Sequence, residues 1–220
     1  MTKKTRQNED KIEVVYRYLR DEIIQGRLKP LEPLDQTIIA NQLNCSRMPV
    51  RQALLKLSLE GLVSYIPNKV TTVTPLSVED MIEVYTARAL LESMLASKGA
   101  RKCGLSQLIE LKKLVEAQRN AVSNRDPVEF LRLDQEFHKI LYRASGYLYI
   151  CTIVDQLRQR ASRYLHVYAS SQDHLVSSLD EHEEIIKAIE QEDYHLVGEL
   201  TTSHIEKYKN VLADIILGGK

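Results

Sequence analysis

The chain has 220 residues, 44% hydrophobic and 27% charged, with 30 Lys+Arg balancing 30 Asp+Glu. That composition is one of a soluble globular protein, long enough for one large domain or for a small and a larger one. Only 8 Gly and 6 Pro argue for long helices, and with no apolar run long enough to span a bilayer and no secretory leader in Met1 to Lys11, a membrane protein is excluded.

The charge is unevenly spread. Residues 1–75 carry 12 Lys+Arg against 8 Asp+Glu, a balance of +4, and residues 76–220 carry 18 against 22, a balance of −4. A basic head on an acidic body is expected when only the head meets phosphate. Cys45, Cys103 and Cys151 are odd in number and form no C-x-x-C pair, which fits reduced thiols in a cytoplasmic protein.

In chain order, residues 1–10 are polar and charged and are expected to be disordered. Ile12, Val15, Leu19 and Ile23 then recur at helical spacing from Lys11 to Gln25, ending at Gly26. A Pro-rich turn, residues 28–34, leads into two short helices, about Gln36–Leu43 and from after Ser46 to about Glu60. Ser46 is expected to cap the second through its hydroxyl. Pro49 is tolerated in the first turn, and Gly61 stops the helix. Val50, Leu54 and Leu57 share one face, with Ile39 and Leu43 available to pack on it. Arg47, Arg51, Gln52 and Lys56 are left on the other. A helix that offers cations and an amide from its first turns suits a DNA major groove, where Arg pairs with guanine, Gln with adenine, and both hold phosphates. An ordinary amphipathic helix is the alternative.

The run Ser46-Arg47-Met48-Pro49-Val50-Arg51-Gln52-Ala53-Leu54, with Leu57 and Glu60-Gly61-Leu62-Val63, resembles the recognition-helix signature of the GntR family of bacterial winged-helix regulators. The alternating stretch Ser64 to Val73 reads as a short hairpin, the wing. The resemblance implies DNA contacts from Ser46, Arg47, Arg51 and Gln52, and from Asn68 and Lys69 at the wing. Relatives usually place Gly where this chain has Leu31 and Val70.

Thr74 to Ser77 reads as a linker between a winged helix-turn-helix domain, residues 1–75, and a second domain, residues 76–220. Ser77-Val78-Glu79-Asp80 reads as an N-cap with an acidic first turn. Six helical patterns follow, with no strand pattern, at about 77–102, 105–122, 126–144, 147–170, 172–191 and 193–217. Breaks this short make an antiparallel all-α bundle, so the fold expected is mainly α. This arrangement resembles the FCD domain of one GntR branch, in its six-helix, VanR-like form. Relatives often have Asn after Ser145-Gly146, where this chain has Tyr147.

Inside the bundle, Asp134 and His138 fall on the apolar face Phe130, Leu133, Phe137 and Leu141. His182 falls in the stripe Leu175, Leu179, Ile186 and Ile189. His204 falls in the stripe Val197, Leu200, Tyr208, Val211 and Ile215. Burying these polar groups without partners is costly. A shared metal ion removes that cost, and hydrogen-bonded core histidines are the bland alternative. The FCD domain's metal motif matches these four positions, with His182 inside Glu181-His182. Three nitrogens and one oxygen suit zinc, nickel, iron or manganese alike. His166, His174 and His195 lack inward periodicity and read as surface or loop residues.

Arg88, in Arg88-Ala89-Leu90-Leu91-Glu92, is either half of an i,i+4 pair on a solvated face or, as the resemblance implies, an inward Arg that grips an effector carboxylate near the metal. The reading that follows is a homodimeric DNA-binding regulator of an inverted-repeat operator, controlled by a small anionic effector, a carboxylate. A helical-bundle metalloenzyme is the rival. It lacks H-E-x-x-H, and its one E-x-x-H, Glu192 to His195, straddles a turn, so no catalytic residue is assigned. A purely structural metal site is the other alternative.

Overall fold

The computed structural model describes residues 3–66, 69–168 and 171–218, with backbone alone for residues 3–10, 163 and 165–167. The chain divides into two compact units, residues 1–77 with 162–166, and residues 78–161 with 167–220. Each has its own apolar core.

The first unit is built from α1 (Lys3–Ile24), α2 (Gln36–Gln42), α3 (Arg47–Leu59) and the strands β1 (Val63–Ser64) and β2 (Thr72–Val73). The helix α1 begins at Lys3, eight residues before the expected start and inside the stretch expected to be disordered. No Gly or Pro interrupts residues 3–10, and Lys, Arg, Gln and Glu are good helix formers. Val15, Tyr16, Leu19 and Ile23 of α1 pack with Val50, Leu54 and Leu57 of α3 and Ile39 of α2. Asp35 caps α2 by accepting from the N–H groups of Thr37 and Ile38 at 2.7 and 3.0 Å.

Ser46 has the extended backbone of an N-cap, yet its hydroxyl makes no capping hydrogen bond. The reason is Pro49. It occupies the third helical position, whose N–H is a usual donor to a capping side chain, and proline has none.

The strands pair antiparallel with Val63 opposite Val73 and Ser64 opposite Thr72. Segment 31–34 adds backbone bonds to β2. The Leu31 N–H donates to the Val73 carbonyl at 3.0 Å, and the Leu34 N–H to that of Thr71 at 2.8 Å. Leu31 holds φ 67, a left-handed conformation that glycine adopts without strain. Of the wing residues, Pro67 and Asn68 lie outside the described residues, while Lys69 and Val70 are exposed.

Among the described residues the second unit is all helix: α4 (Val78–Lys102), α5 (Leu105–Ser123), α6 (Pro127–Ala144), α7 (Leu148–Tyr168), α8 (Gln172–Glu190) and α9 (Tyr194–Ile216). The turns fall at the expected breaks, because each holds a residue that leaves helical space, such as Gly146 at φ 78 and Glu192 at φ 56. Leu95, Leu111, Phe130, Phe137, Leu141, Ile185 and Val197 form the core. Gly99 lies so close to α6 that a Cβ on it would collide with the Leu141 carbonyl. Ile215, expected inward on α9, is 40% exposed, and Leu212 is buried one turn earlier. The apolar stripe drifts around the helix because its period is not an integer.

Candidate functional site

Asp134 and His138 are one turn apart on α6, so their side chains leave the same face. Asp126 starts that helix by accepting from the Glu129 N–H at 3.0 Å, with Pro127 in the first turn. His182 comes from α8 and His204 from α9. All four are buried, and one ligand atom from each lies within 4.8 Å of the others.

The hydrogen-bond partners fix which ring nitrogens are bare. His204 Nδ1 lies 2.6 Å from a Glu181 carboxylate oxygen, which only accepts, so this nitrogen carries the proton. His182 Nδ1 donates to Gln118 Oε1 at 2.8 Å. Tyr142 gives its one hydrogen to Glu92 at 2.8 Å, so its oxygen accepts from His138 Nδ1 at 3.1 Å. Every ring is thereby held in the Nδ1–H form, with Nε2 a bare lone pair. The Nε2 atoms of His138 and His182 stand 3.3 Å apart. Asp134 Oδ1 is 3.6 and 3.5 Å from them and is buried with no hydrogen-bond donor among the described residues.

Burial disfavours charge on these rings. It pulls His138 down to about 4 in spite of Asp134, and it takes His182 well below the ordinary histidine value. Burial raises the Asp134 carboxyl, yet His138, His182 and Arg158 outweigh it and keep it ionised. Neutral imidazoles around an orphaned carboxylate oxygen make a buried pocket of negative potential. The set therefore fits a cation, and the cluster is compatible with a metal site.

Arg88 is buried rather than on a solvated face, and its Nε donates to Glu92 Oε1 at 2.7 Å. Arg158 of α7 bridges the two acids, donating to Glu92 Oε2 at 2.8 Å and to Asp134 Oδ2 at 3.2 Å. Burial raises the Glu92 carboxyl, but Arg88 and Arg158 overcome this and hold it at about 2. Tyr85 lies under the Arg88 guanidinium, 4.6 Å from ring centroid to carbon. Its hydroxyl is buried with no hydrogen-bond partner among the described residues.

Sequence reasoning singled out the four cluster residues and Arg88 but missed Gln118, Tyr142, Arg158 and the bond from Glu181. Tyr142, one turn after His138, and Arg158, between Val154 and Ala161 on the buried face of α7, had legible positions. Gln118 had none. Of the other histidines, His195 is exposed, the His166 side chain lies outside the described residues, and His174 is half-buried with its ring stacked on Tyr168 at 4.8 Å.

On the first unit, Ser46, Arg47, Arg51 and Gln52 are exposed together at the start of α3. Lys56 is engaged elsewhere. Its ammonium bonds Glu13 at 3.0 Å and lies 3.6 Å from the Tyr16 ring centroid.

Comparison with known proteins agrees with both units. Residues 11–73 match the "Bacterial regulatory proteins, gntR family", and residues 83–207 match the FCD domain. The chain is 26% identical over 204 residues to the HTH-type transcriptional repressor RspR of Escherichia coli K12, covering 91% of this chain and 88% of that one. It is 25% identical over 198 residues to the repressor GlaR of the same organism, covering 86% and 90%. The solved structure of E. coli McbR/YncC has the same fold, with a TM-score of 0.79 at 22% identity over 94% of this chain and 98% of that one. A helix-turn-helix head of one matched type followed by a bundle of the other leaves one assignment: the chain belongs to the GntR family of bacterial transcription regulators, in the branch that carries an FCD domain.

Proposed function

We propose that this regulator senses a small carboxylate through a divalent transition-metal ion held by Asp134, His138, His182 and His204, and that occupancy changes its affinity for an inverted-repeat operator. The observation that carries the reading is the convergence of three proton-free Nε2 atoms and an orphaned carboxylate oxygen, each ring fixed from behind by Tyr142, Gln118 or Glu181. Three nitrogens and one oxygen favour zinc, nickel, iron or manganese over the hard, oxygen-seeking calcium and magnesium. When bound, the ion supplies positive charge for an anionic oxygen.

The chain's own residues support a carboxylate as that anion. Arg88 and Arg158 balance Glu92 and Asp134, so a divalent ion leaves positive charge in excess. Arg88 presents a planar fork matched to a carboxylate, and the Tyr85 hydroxyl beside it is a donor without an acceptor. On the DNA side, Arg47, Arg51 and Gln52 read bases or hold phosphates, with Ser46 at the helix start and Asn68 and Lys69 on the wing. The protein acts as a cytoplasmic homodimer whose two-fold axis matches the operator's. Its DNA-binding domain is residues 1–75, its sensing domain is residues 76–220, and it catalyses no reaction.

The test combines elemental analysis with titration of mono- and dicarboxylates into wild type and Arg88→Ala, followed by calorimetry and operator affinity. The expected coupling is on the order of 1–3 kcal/mol and reciprocal between effector and operator. Absence of acid binding, or binding that survives loss of both Arg88 and metal, rejects the sensing role. One observation favours a second reading, a purely structural metal site: the Arg88 Nε already has its carboxylate in Glu92.

A further inference from the structure

At the end of the bundle where α4 runs out toward the α6–α7 turn, Ser97, Lys98, Arg101, Lys102 and Tyr147 line a concavity of about 250 Å³. It shares no residue with the histidine cluster. We propose that it is a second ligand site, one that takes the phosphate group of a small phosphate monoester.

The lining has three cations, one hydroxyl and one aromatic ring, and no carboxylate. Lys112, Arg119, Arg132 and Lys139 elsewhere in the bundle each meet a Glu. Lys98, Arg101 and Lys102 have no such partner among the described residues. They are nevertheless held in place by neutral groups. The Lys102 ammonium donates to the Ser145 carbonyl at 2.8 Å. Lys98 and Lys102 lie 5.3 and 6.0 Å from the Tyr147 ring centroid, and Arg101 lies 5.4 Å from that of Tyr194. Gly146 contributes by having no side chain, since a Cβ there would stand 3.4 Å from the Lys102 ammonium. Cations fixed by neutral partners keep their charge for a ligand, and the cost of ordering them is already met.

Magnitudes separate this site from an ordinary helix end. Arg101 and Lys102 lie in the last turn of α4, where cations complement the helix dipole. That dipole supplies only about half a negative charge, against three full positive ones. The remainder, roughly two, matches the charge of −1.5 to −2 on a phosphate monoester near neutral pH. The Arg101 fork can hold two phosphate oxygens at once. The volume lies below the roughly 300–1,000 Å³ of pockets for larger ligands, so a phosphate with a small organic group fits. Tyr147 supplies a flat wall for that group.

The experiment uses the full chain at constant ionic strength and titrates inorganic phosphate, phenyl phosphate and sulfate by calorimetry. Saturable binding of one phosphate per chain is expected, tighter for phenyl phosphate than for inorganic phosphate, with sulfate weaker. Lys98→Glu, an exposed position where the change puts a carboxylate in the pocket, should lower affinity at least tenfold and leave the metal content and melting temperature unchanged. Tyr147→Leu should remove the preference for phenyl phosphate alone. Absence of saturable binding, an equal response to sulfate, or wild-type affinity in Lys98→Glu each overturns the proposal. Vesicles containing phosphatidic acid distinguish a lipid headgroup from a free ester. Sedimentation with them that phenyl phosphate fails to compete away also overturns it.

Discussion

The Nε2 atoms of His138 and His182 face each other at 3.3 Å with no proton between them, because Tyr142 and Gln118 hold the protons on the opposite edges of the two rings. Two lone pairs at that distance repel, and a cation placed between them turns repulsion into attraction. Metal should therefore stabilise the folded protein strongly. At a free concentration a hundred times the dissociation constant the gain is about 2.7 kcal/mol, or roughly 5–10 °C in melting temperature for a chain of this length. Calorimetric melting before and after chelation measures it, and a melting temperature indifferent to chelator, zinc and nickel alike rejects the site.

Gln118 never touches the proposed ion, yet it sets the His182 tautomer. Gln118→Leu should weaken metal binding about 10- to 100-fold, the usual cost of losing such a partner. It should do so with the bundle intact, since leucine also removes an amide nitrogen that has no hydrogen-bond partner among the described residues. Competition with a chromogenic chelator gives the affinity, and an unchanged value would refute the tautomer argument.

Stability of the metal-free protein should fall on acidification, in two windows. Burial keeps the His138 ring neutral down to about pH 4, against an ordinary value of 6.5. The unfolded ring takes up a proton first, so stability is lost from about 6.5 to 4. Glu92 runs from an ordinary 4.5 down to about 2, because Arg88 and Arg158 outweigh burial. Its contribution is complete above 4.5 and lost toward 2. Urea midpoints at pH 7, 5 and 3 should decline in that order, and a rise would contradict the assignment.

Glu92→Gln should be far more harmful than an ordinary surface change. It leaves two buried guanidiniums, Arg88 and Arg158, sharing only Asp134, and breaking a buried ionic network typically costs about 3–5 kcal/mol. Arg88→Ala should cost less, because Glu92 keeps Arg158 and Tyr142. Denaturant unfolding of both variants ranks them, and the reverse order would mean that Arg158 contributes little.

Operator binding should depend on Arg47 and Arg51, each costing about 1–3 kcal/mol on change to Ala if it reads a base. Lys56→Ala should barely alter it, since Lys56 is engaged with Glu13 and the Tyr16 ring. A gel-shift titration across salt concentrations compares them. A Lys56 effect as large as that of Arg51 would place the DNA on a different face of α3.

The bundle was legible because its breaks carry chemistry: Gly104, Asn124 to Pro127 and Gly146 each interrupt a strong helical period. The histidine cluster was legible because a polar residue in an apolar stripe stands out. Its supports were not. Gln118 resembles any polar residue on an amphipathic helix, and Glu92 was visible only as the partner of Arg88, since sequence separation says nothing about Arg158, 66 residues away. The Ser46 cap failed for a local reason that the sequence did contain, a proline at the third helical position. The early start of α1 shows the limit of reading polarity as disorder.

Gly99 leaves α4 and α6 in contact backbone to backbone, with the Leu141 carbonyl where a side chain would otherwise stand. Such a seam acts as a register lock. Sliding either helix along the other would drive the next residue's Cβ, that of Lys98 or Ala100, into the opposing main chain. Arg88 and Glu92 on α4 therefore keep a fixed axial offset from Asp134 and His138 on α6, whatever the rest of the bundle does.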